Sequence, residues 1–218
     1  MYFASRVQAG RMLANRLHDK YRYENCIVLA IDDGGVMVGA QIAMKLHCAI
    51  NMMLSEEIVM PRDSEALVGI TANGTTTYNR HYSQGQIDEY NMEYFNLIEQ
   101  EKLSKMRDMN KLVSSAGTAS KNMLRGHNVI VVSDGLASGF KLDLVAEFLK
   151  PISIEKLIVA VPFASVKAVD RMHILGDDLE CLNVVSDYIS TEHYYDQQDV
   201  PDRKTAVELI EKIILNWK

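Results

Sequence analysis

Short apolar runs alternate with helical stretches along most of the chain. Six runs are rich in Val, Ile and Leu and nearly continuous, at residues 26–31, 50–54, 67–72, 129–132, 157–161 and 181–185. Such runs are typical of strands that are buried on both faces of a parallel sheet. Apolar residues at helical spacing follow several of them, at residues 36–46, 140–149 and 166–175. The alternation predicts an α/β fold with a central parallel sheet of about five strands, flanked by helices.

The middle of the chain departs from this alternation. Residues 73–86 are polar and rich in Thr, Tyr and Gly, which predicts a loop or an irregular hairpin. Residues 87–113 place apolar side chains at helical spacing among many charges, which predicts a long amphipathic helix that ends in the Ser, Gly and Thr of residues 114–121. Because no linker is long enough to divide the chain, we expect residues 1–218 to form a single domain, with 73–121 as an inserted loop and long helix.

Composition narrows the class of protein. The chain has 218 residues, 48% of them hydrophobic, and 23 basic against 29 acidic residues give a net charge of −6. These values are typical of a globular protein and argue against non-specific binding to nucleic acid. We expect neither a membrane span nor a signal peptide. Three scattered cysteines are too few for a disulfide framework or a zinc site, so we expect a cytoplasmic protein.

The most informative segment is residues 129–141, where a hydrophobic strand leads through small residues into a helix. Backbone N–H groups and the helix dipole make such a helix N-terminus attractive to phosphate. Ser138 adds a hydroxyl and Lys141 a positive charge, while the Asp134 carboxylate could accept hydrogen bonds from sugar hydroxyls. The residues assigned to this phosphate and ribose site are Ser133, Asp134, Gly135, Leu136, Ala137, Ser138, Gly139 and Lys141. A plain strand-to-helix turn with an N-cap serine is the alternative.

The same segment resembles the signature of type I phosphoribosyltransferases, which bind phosphoribosyl pyrophosphate (PRPP). Other pieces resemble the family in the same order along the chain, namely Phe3 and Arg6 of the opening stretch and residues 29–46, 58–70, 159–164 and 194–202. The resemblance implies a phosphoribosyltransferase fold with a small hood built from terminal or inserted segments. It also implies transfer of a phosphoribosyl group to a nitrogen base, with Asp134 as the catalytic candidate.

Four residues at three places depart from the family pattern. The equivalents of the pyrophosphate loop are Asp32, Asp33, Gly34 and Gly35. Asp33 replaces an Arg, Glu56 and Glu57 replace an Arg-Lys pair, and Ser133 replaces the first acid of the acidic pair. Because charge accumulates on the departing pyrophosphate, carboxylates at these places should oppose the reaction by several kcal/mol. Alternatively, some of these acids point into solvent, or the alignment is shifted by a residue.

Three functions remain open on this basis. The favoured one is a family protein, a pseudoenzyme candidate, that binds a phosphorylated ribose or nucleotide at residues 134–141, with PRPP transfer lost or altered. The alternatives are an active transferase that uses Mg²⁺ and an unknown base, and a protein-interaction module with a vestigial pocket. No cofactor is certain, and Asp33 and Glu57 are the candidate ligands if Mg²⁺ is used. The expected partner is ribose phosphate, a nucleotide or PRPP, not a membrane or nucleic acid, and a homodimer is left open.

Overall fold

Two sheets and seven α-helices make up the computed structural model, which describes residues 2–61, 63–113, 118–119 and 121–215. The strands are β1 (Cys26–Ala30), β2 (Ala49–Met52), β3 (Ser55–Val59), β4 (Ala66–Thr71), β5 (Thr76–Tyr78), β6 (Asn128–Val132), β7 (Lys156–Ser165) and β8 (Asp178–Val185). The helices are α1 (Arg6–Tyr21), α2 (Asp33–Leu46), α3 (Gln84–Asn110), α4 (Lys121–Leu124), α5 (Phe140–Leu149), α6 (Val166–Leu175) and α7 (Arg203–Leu215). A short 3₁₀ turn spans Glu192–Tyr194.

The larger sheet has five parallel strands in the order β2-β1-β6-β7-β8. Val28 and Ile130 face a core shared with α1, α2 and α7, whereas Leu29 and Val131 face a core shared with α5 and α6. Helices therefore cover both faces of the sheet, which explains why its strands are nearly continuous apolar runs. The predicted fold class is confirmed.

A smaller antiparallel sheet holds β3, β4 and β5 in that order. Its middle strand, β4, corresponds to the predicted apolar run at residues 67–72, so the assignment of that run to the parallel sheet is wrong. Every residue of β4 is buried, because Val68 and Ile70 pack into the core beside α3 while Gly69 lies against Phe140 and Leu144 of α5. A strand covered on both faces has the same apolar pattern in either kind of sheet.

The long helix α3 begins three residues before the predicted start, at Gln84, and ends at Asn110. Ser83 and Gln86 form a reciprocal capping box, which fixes that start. The predicted loop at 73–86 contains the short strand β5, and most of the predicted break at 114–121 lies outside the described residues. Among the described residues, no helix combines the length and apolar character that a membrane span requires.

Candidate functional site

The segment between β6 and α5 lies at the carboxyl end of the central strand, as the sequence predicts. The N-cap of α5 is Gly139, not Ser138, and no side chain in the described part of the chain caps this helix. Ser138 Oγ accepts only a long hydrogen bond, 3.4 Å, from the backbone N–H of Phe140. The N-cap serine of the alternative interpretation is therefore not what the structure shows. Uncapped N–H groups in the first helical turn favour an anion at this place.

Strand β7 holds this loop in position from below. The backbone N–H of Leu136 donates to the carbonyl of Phe163 at 3.1 Å, and the Ser165 hydroxyl donates to the carbonyl of Ala137 at 2.8 Å. A Cβ on Gly135 would lie 2.6 Å from the Phe163 ring, and one on Gly139 would lie 2.5 Å from Arg171. The two glycines are thus required for packing inside the protein.

A polar cleft of about 200 Å³ opens above the loop, and we call it the phosphate cleft. Its lining residues are Glu57, Val59, Ser64, Glu65, Ala66, Gly135, Leu136, Ala137, Ser138, Phe140, Lys141 and Thr191. The loop and the start of α5 form one wall, and β3 with the turn that follows it forms the opposite wall. The structure therefore brings most of the predicted loop residues to one cleft, while Ser133 and Asp134 lie beneath it, buried.

The Asp134 carboxylate belongs to a buried network. It accepts a hydrogen bond from Nε of Arg6 at 2.7 Å, and Nη1 of the fully buried Arg6 donates to Asp199 at 3.0 Å. The hydroxyl of Tyr195, whose ring lies under the Arg6 guanidinium, donates to the Asp134 carbonyl at 2.6 Å. Burial, together with the nearby charge of Asp32, raises the pKa of Asp134 even though Arg6 opposes this shift.

Asp32 caps α2 and also fixes the cation of the phosphate cleft. Its carboxylate accepts the backbone N–H of Gly35 at 2.6 Å, the hydroxyl of Ser133 at 2.5 Å and Nζ of Lys141 at 3.4 Å. The negative charge of Asp32 raises the pKa of Lys141 to about 12, so Lys141 stays positively charged at neutral pH. Asp32 therefore has a structural role that its place in the pyrophosphate-loop equivalent does not reveal.

The three carboxylates that reverse the family's charge do not share one environment. Asp33 accepts a hydrogen bond from Nε of Arg203 at 3.0 Å, and Glu56 accepts one from Nη1 of Arg203 at 2.6 Å. Lys105 lies 3.5 Å from the other oxygen of Glu56. Only Glu57 faces the phosphate cleft, where burial raises its pKa although Lys141 opposes the shift. The sequence-based picture of three unpaired acids around one pocket is thus wrong for two of the three.

The pair proposed as Mg²⁺ ligands is not brought together. Asp33 is engaged by Arg203, and Glu57 lies across β3 in the phosphate cleft. No group of three or more His, Cys, Asp or Glu residues in the described part of the chain is arranged to hold a metal ion. The sequence suggested Asp33 and Glu57 as ligands of Mg²⁺. The residues present do not fit such a site if the protein alone supplies the ligands.

Several residues of the site escape prediction from the sequence. Arg203 and Asp199 come from the end of the chain, and Arg171, which holds Asp143 in the first turn of α5, comes from α6. Each is separated from its partner by 28 to 193 positions. Charge complementarity with Asp33 and Glu56 is the one sequence signal that could have pointed to a missing cation, but it does not say which Arg or Lys supplies it.

The fold and the site together define an α/β protein in which an uncapped helix N-terminus lies at the carboxyl end of a central parallel strand. The family model described as "Phosphoribosyl transferase domain" matches residues 3–199. The chain belongs to this family, as the resemblance in its sequence implied.

Known relatives agree with this assignment. Proteins from two strains of Mycobacterium tuberculosis, each named "Putative phosphoribosyl transferase", are 24% identical over 182 residues, which is 83% of this chain. The chain spans only 40% of the length of these curated relatives. The crystal structure of TT1426 from Thermus thermophilus is similar over 100% of this chain and 99% of that one, with a TM-score of 0.70 and 24% identity. The likeness to TT1426 concerns the fold.

Proposed function

We propose that this protein binds the phosphate of a phosphorylated ribose or nucleotide at residues 134–141, with transfer from PRPP lost or altered. The observation that carries the proposal is the uncapped start of α5, which opens with Ser138 and Lys141 into the phosphate cleft. Ligands of open α/β sheets bind at the carboxyl ends of the strands, and this cleft lies at the end of β6. A helix N-terminus with a fixed cation beside it suits a phosphate ester.

The residues that β3 and the following turn contribute to the cleft suit a ligand rich in hydroxyl groups. Glu57, Ser64 and Glu65 line the same cleft as the loop, and their side-chain oxygens can accept hydrogen bonds. Sugar hydroxyls can donate to these oxygens while the phosphate occupies the loop. In this proposal Glu57 contacts the sugar, and Asp134, the catalytic candidate, supports the loop through Arg6.

The burial of Asp134 supports altered transfer chemistry. One oxygen of its carboxylate accepts a hydrogen bond from Arg6, and Asp134 is buried and does not line the cleft, so a ligand in the cleft has little access to it. The negative charge of Glu57 in the cleft also opposes a ligand with several phosphates. Both features favour binding of a single phosphate ester.

Calorimetric titration with ribose 5-phosphate, a nucleoside monophosphate and inorganic phosphate tests the proposal. The substitution Ser138→Asp should lower affinity for the esters at least about a hundredfold, because a carboxylate would face the phosphate at a few ångströms. Ser153→Asp, at an exposed serine outside the cleft, adds the same charge and is the matched control. Unchanged affinity in Ser138→Asp, or no ester binding to the natural protein, would overturn the proposal.

An active transferase is the second candidate, and the position of Arg203 favours it. Arg203 and Lys105 supply positive charge to Asp33 and Glu56, which removes much of the repulsion that the sequence alone predicts. Release of pyrophosphate from PRPP in the presence of Mg²⁺ and a panel of nitrogen bases would establish this activity. Binding of ribose 5-phosphate without any pyrophosphate release would favour the first candidate.

A further inference from the structure

The outward side of the long helix α3 carries three large apolar side chains. Met92, Phe95 and Leu103 are 86%, 61% and 63% exposed, and we call these three residues the outer face of α3. The opposite side of the helix packs on the core through Ile98 and Met109. Single exposed apolar side chains are common on protein surfaces, but three of this size within 12 positions of one helix form a patch that a partner could cover.

Tyr94 divides α3 into two segments, because its backbone, at φ −115° and ψ 20°, is not helical. Phe95, Glu99 and Leu103 belong to the longer, second segment and follow one another at intervals of four residues, which places them along one side of the helix. The carboxylate of Glu99 accepts a hydrogen bond from Nζ of Lys102 at 2.9 Å. The two apolar side chains of this segment are therefore separated by an ion pair without net charge.

The charges of α3 are separated along its length. Residues 84–101 contain five acidic residues and no basic one, which gives a charge of −5. Residues 102–110 contain three basic residues and one acidic residue, which gives a charge of +2. The acids are Asp88, Glu89, Glu93, Glu99 and Glu101 in the first part and Asp108 in the second, and the bases are Lys102, Lys105 and Arg107.

The helix dipole accounts for only part of this separation. Acids at a helix N-terminus and bases at its C-terminus are stabilising, but the effect falls off within the first and last turns. Glu93 lies at the end of the first segment and Glu101 beyond the first turn of the second, so the dipole favours neither. Among the described residues, no cation lies within ion-pair distance of Glu89, Glu93 or Glu101, and no acid lies within that distance of Arg107. These exposed charges are therefore free to pair with a partner.

A second copy of the chain supplies what this face lacks. When two copies of α3 lie antiparallel about a two-fold axis at Glu99, Phe95 of each copy meets Leu103 of the other, because both positions are four residues from the axis. Glu89 and Arg107 lie ten and eight residues from the axis, an offset of about 3 Å that their long side chains can bridge. The acidic part of each helix then lies along the basic part of the other, and every contact occurs twice.

The length of α3 suits such an interface. Its 27 residues span about 40 Å, and two facing strips of this length and about 10–12 Å width amount to roughly 900 Å². Specific protein interfaces bury at least about 1,000 Å² in total, and those near this limit are weak and reversible. We therefore expect association at micromolar concentrations.

We propose that the outer face of α3 is an interface on which a second copy of this chain docks, with the two helices antiparallel. Phe95 and Leu103 form its apolar centre, and the opposite charges of the two parts of the helix set its orientation. The inference goes beyond the proposed function and does not depend on it, because none of these residues lines the phosphate cleft.

Sedimentation velocity of the natural protein from about 1 to about 200 µM tests the interface. We expect a reversible change from a mass of 24.6 kDa to twice that mass as the concentration rises. Phe95→Asp should raise the dissociation constant of the dimer at least about a hundredfold, because each dimer would bury two unpaired carboxylates. Ile174→Asp places the same charge at a 70% exposed isoleucine of α6 and is the matched control, which should leave the dissociation constant unchanged.

Charge reversal tests the antiparallel orientation. Glu89→Lys and Arg107→Glu should each raise the dissociation constant about three- to tenfold at low salt, because each places like charges side by side. The double variant exchanges the two signs and keeps the net charge of the natural protein. It should therefore recover most of the lost affinity.

A natural protein that stays monomeric at the highest concentration would overturn the proposal. A dimer that Phe95→Asp leaves intact would also overturn it, because another surface would then form the contact, and so would equal weakening by Ile174→Asp. If Phe95→Asp does not fold, as judged by circular dichroism, the charge-reversal series decides, since a double variant that recovers no affinity contradicts the antiparallel pairing.

Discussion

Gly35 lies where the first turn of α2 crosses the end of β6. A Cβ at this position would lie 2.7 Å from the carbonyl oxygen of Val132 and 2.6 Å from Oδ1 of Asp32. The backbone oxygen cannot move without disturbing the central strand, so only glycine fits. Gly85, in the first turn of α3, has no atom within 4 Å of the place that a Cβ would take.

Substitution by alanine should change the free energy of unfolding in opposite directions at these two glycines. Gly35→Ala should lower the free energy of unfolding by about 1–3 kcal/mol, because the added methyl group overpacks the contact between helix and strand. Gly85→Ala should leave it unchanged or raise it by up to about 1 kcal/mol, because alanine is the better helix former. Urea unfolding monitored by circular dichroism measures both. A stable Gly35→Ala protein would mean that the α2 turn is placed differently.

Among the secondary-structure elements, α7 ties the end of the chain to the site. Ala206, Val207 and Ile210 are buried against the core that α2 shares with the sheet, and Arg203 at the start of α7 holds Asp33. Their spacing is helical, which is the signal that could have predicted this helix. The family model ends at residue 199, so α7 lies beyond the part of the chain that it describes.

Loss of one buried side chain from α7 should therefore be costly. Ile210→Ala should destabilise the protein by about 2–5 kcal/mol, since Ile210 is fully buried and its removal leaves a cavity. Glu208→Ala, on the exposed side of the same helix, is the control and should change stability by less than about 0.5 kcal/mol. Thermal or urea unfolding distinguishes the two. Similar, small effects of both substitutions would show that α7 contributes little to the folded state.

Across the molecule as a whole, one buried network joins both ends of the chain to the central sheet. Arg6 from α1, Asp134 from the end of β6, and Asp199 and Tyr195 from the C-terminal segment meet under the loop between β6 and α5. Phe3 pairs with the same C-terminal segment through its backbone. The loop is thus supported by segments almost 200 positions apart in sequence.

This network predicts a dependence of stability on pH. The pKa of Asp134 is raised in the folded protein, first by burial and then by Asp32. An acid with a raised pKa binds its proton more tightly in the folded state, so its stabilising contribution is complete below about pH 4 and is lost as the pH rises toward the raised value. In Asp134→Asn the side chain is an amide and does not titrate, so this contribution to stability is absent. The free energy of unfolding of the natural protein should therefore fall, relative to that of Asp134→Asn, as the pH rises above about 4.

Urea unfolding of both proteins at several pH values from about 4 to about 8 measures this difference. The comparison between variants removes contributions from other groups, such as Glu57, that titrate in both. A difference that stays constant or changes in the opposite direction would contradict the raised pKa and indicate that Arg6 holds Asp134 in its charged form.

Local sequence patterns were sufficient to predict the α/β class and the strand-loop-helix segment at residues 129–141. Apolar runs with helical stretches between them involve neighbouring residues alone, and the strand-loop-helix segment at 129–141 is contiguous. The same locality explains the correct helices at α5 and α6. It also explains the error at β4, because burial on both faces produces one pattern in two kinds of sheet.

The electrostatics of the site, in contrast, arise only when the chain is folded. Asp33 and Glu56 are acids in the sequence, but Arg203, which lies 170 positions from Asp33, neutralises them. Of the three acids that replace basic residues, the pleat of β3 directs only Glu57 into the phosphate cleft. Asp134 is likewise taken up by Arg6, 128 positions away. Electrostatic interaction depends on distance in space, and the tertiary fold alone makes neighbours of these acids and the residues that compensate their charge.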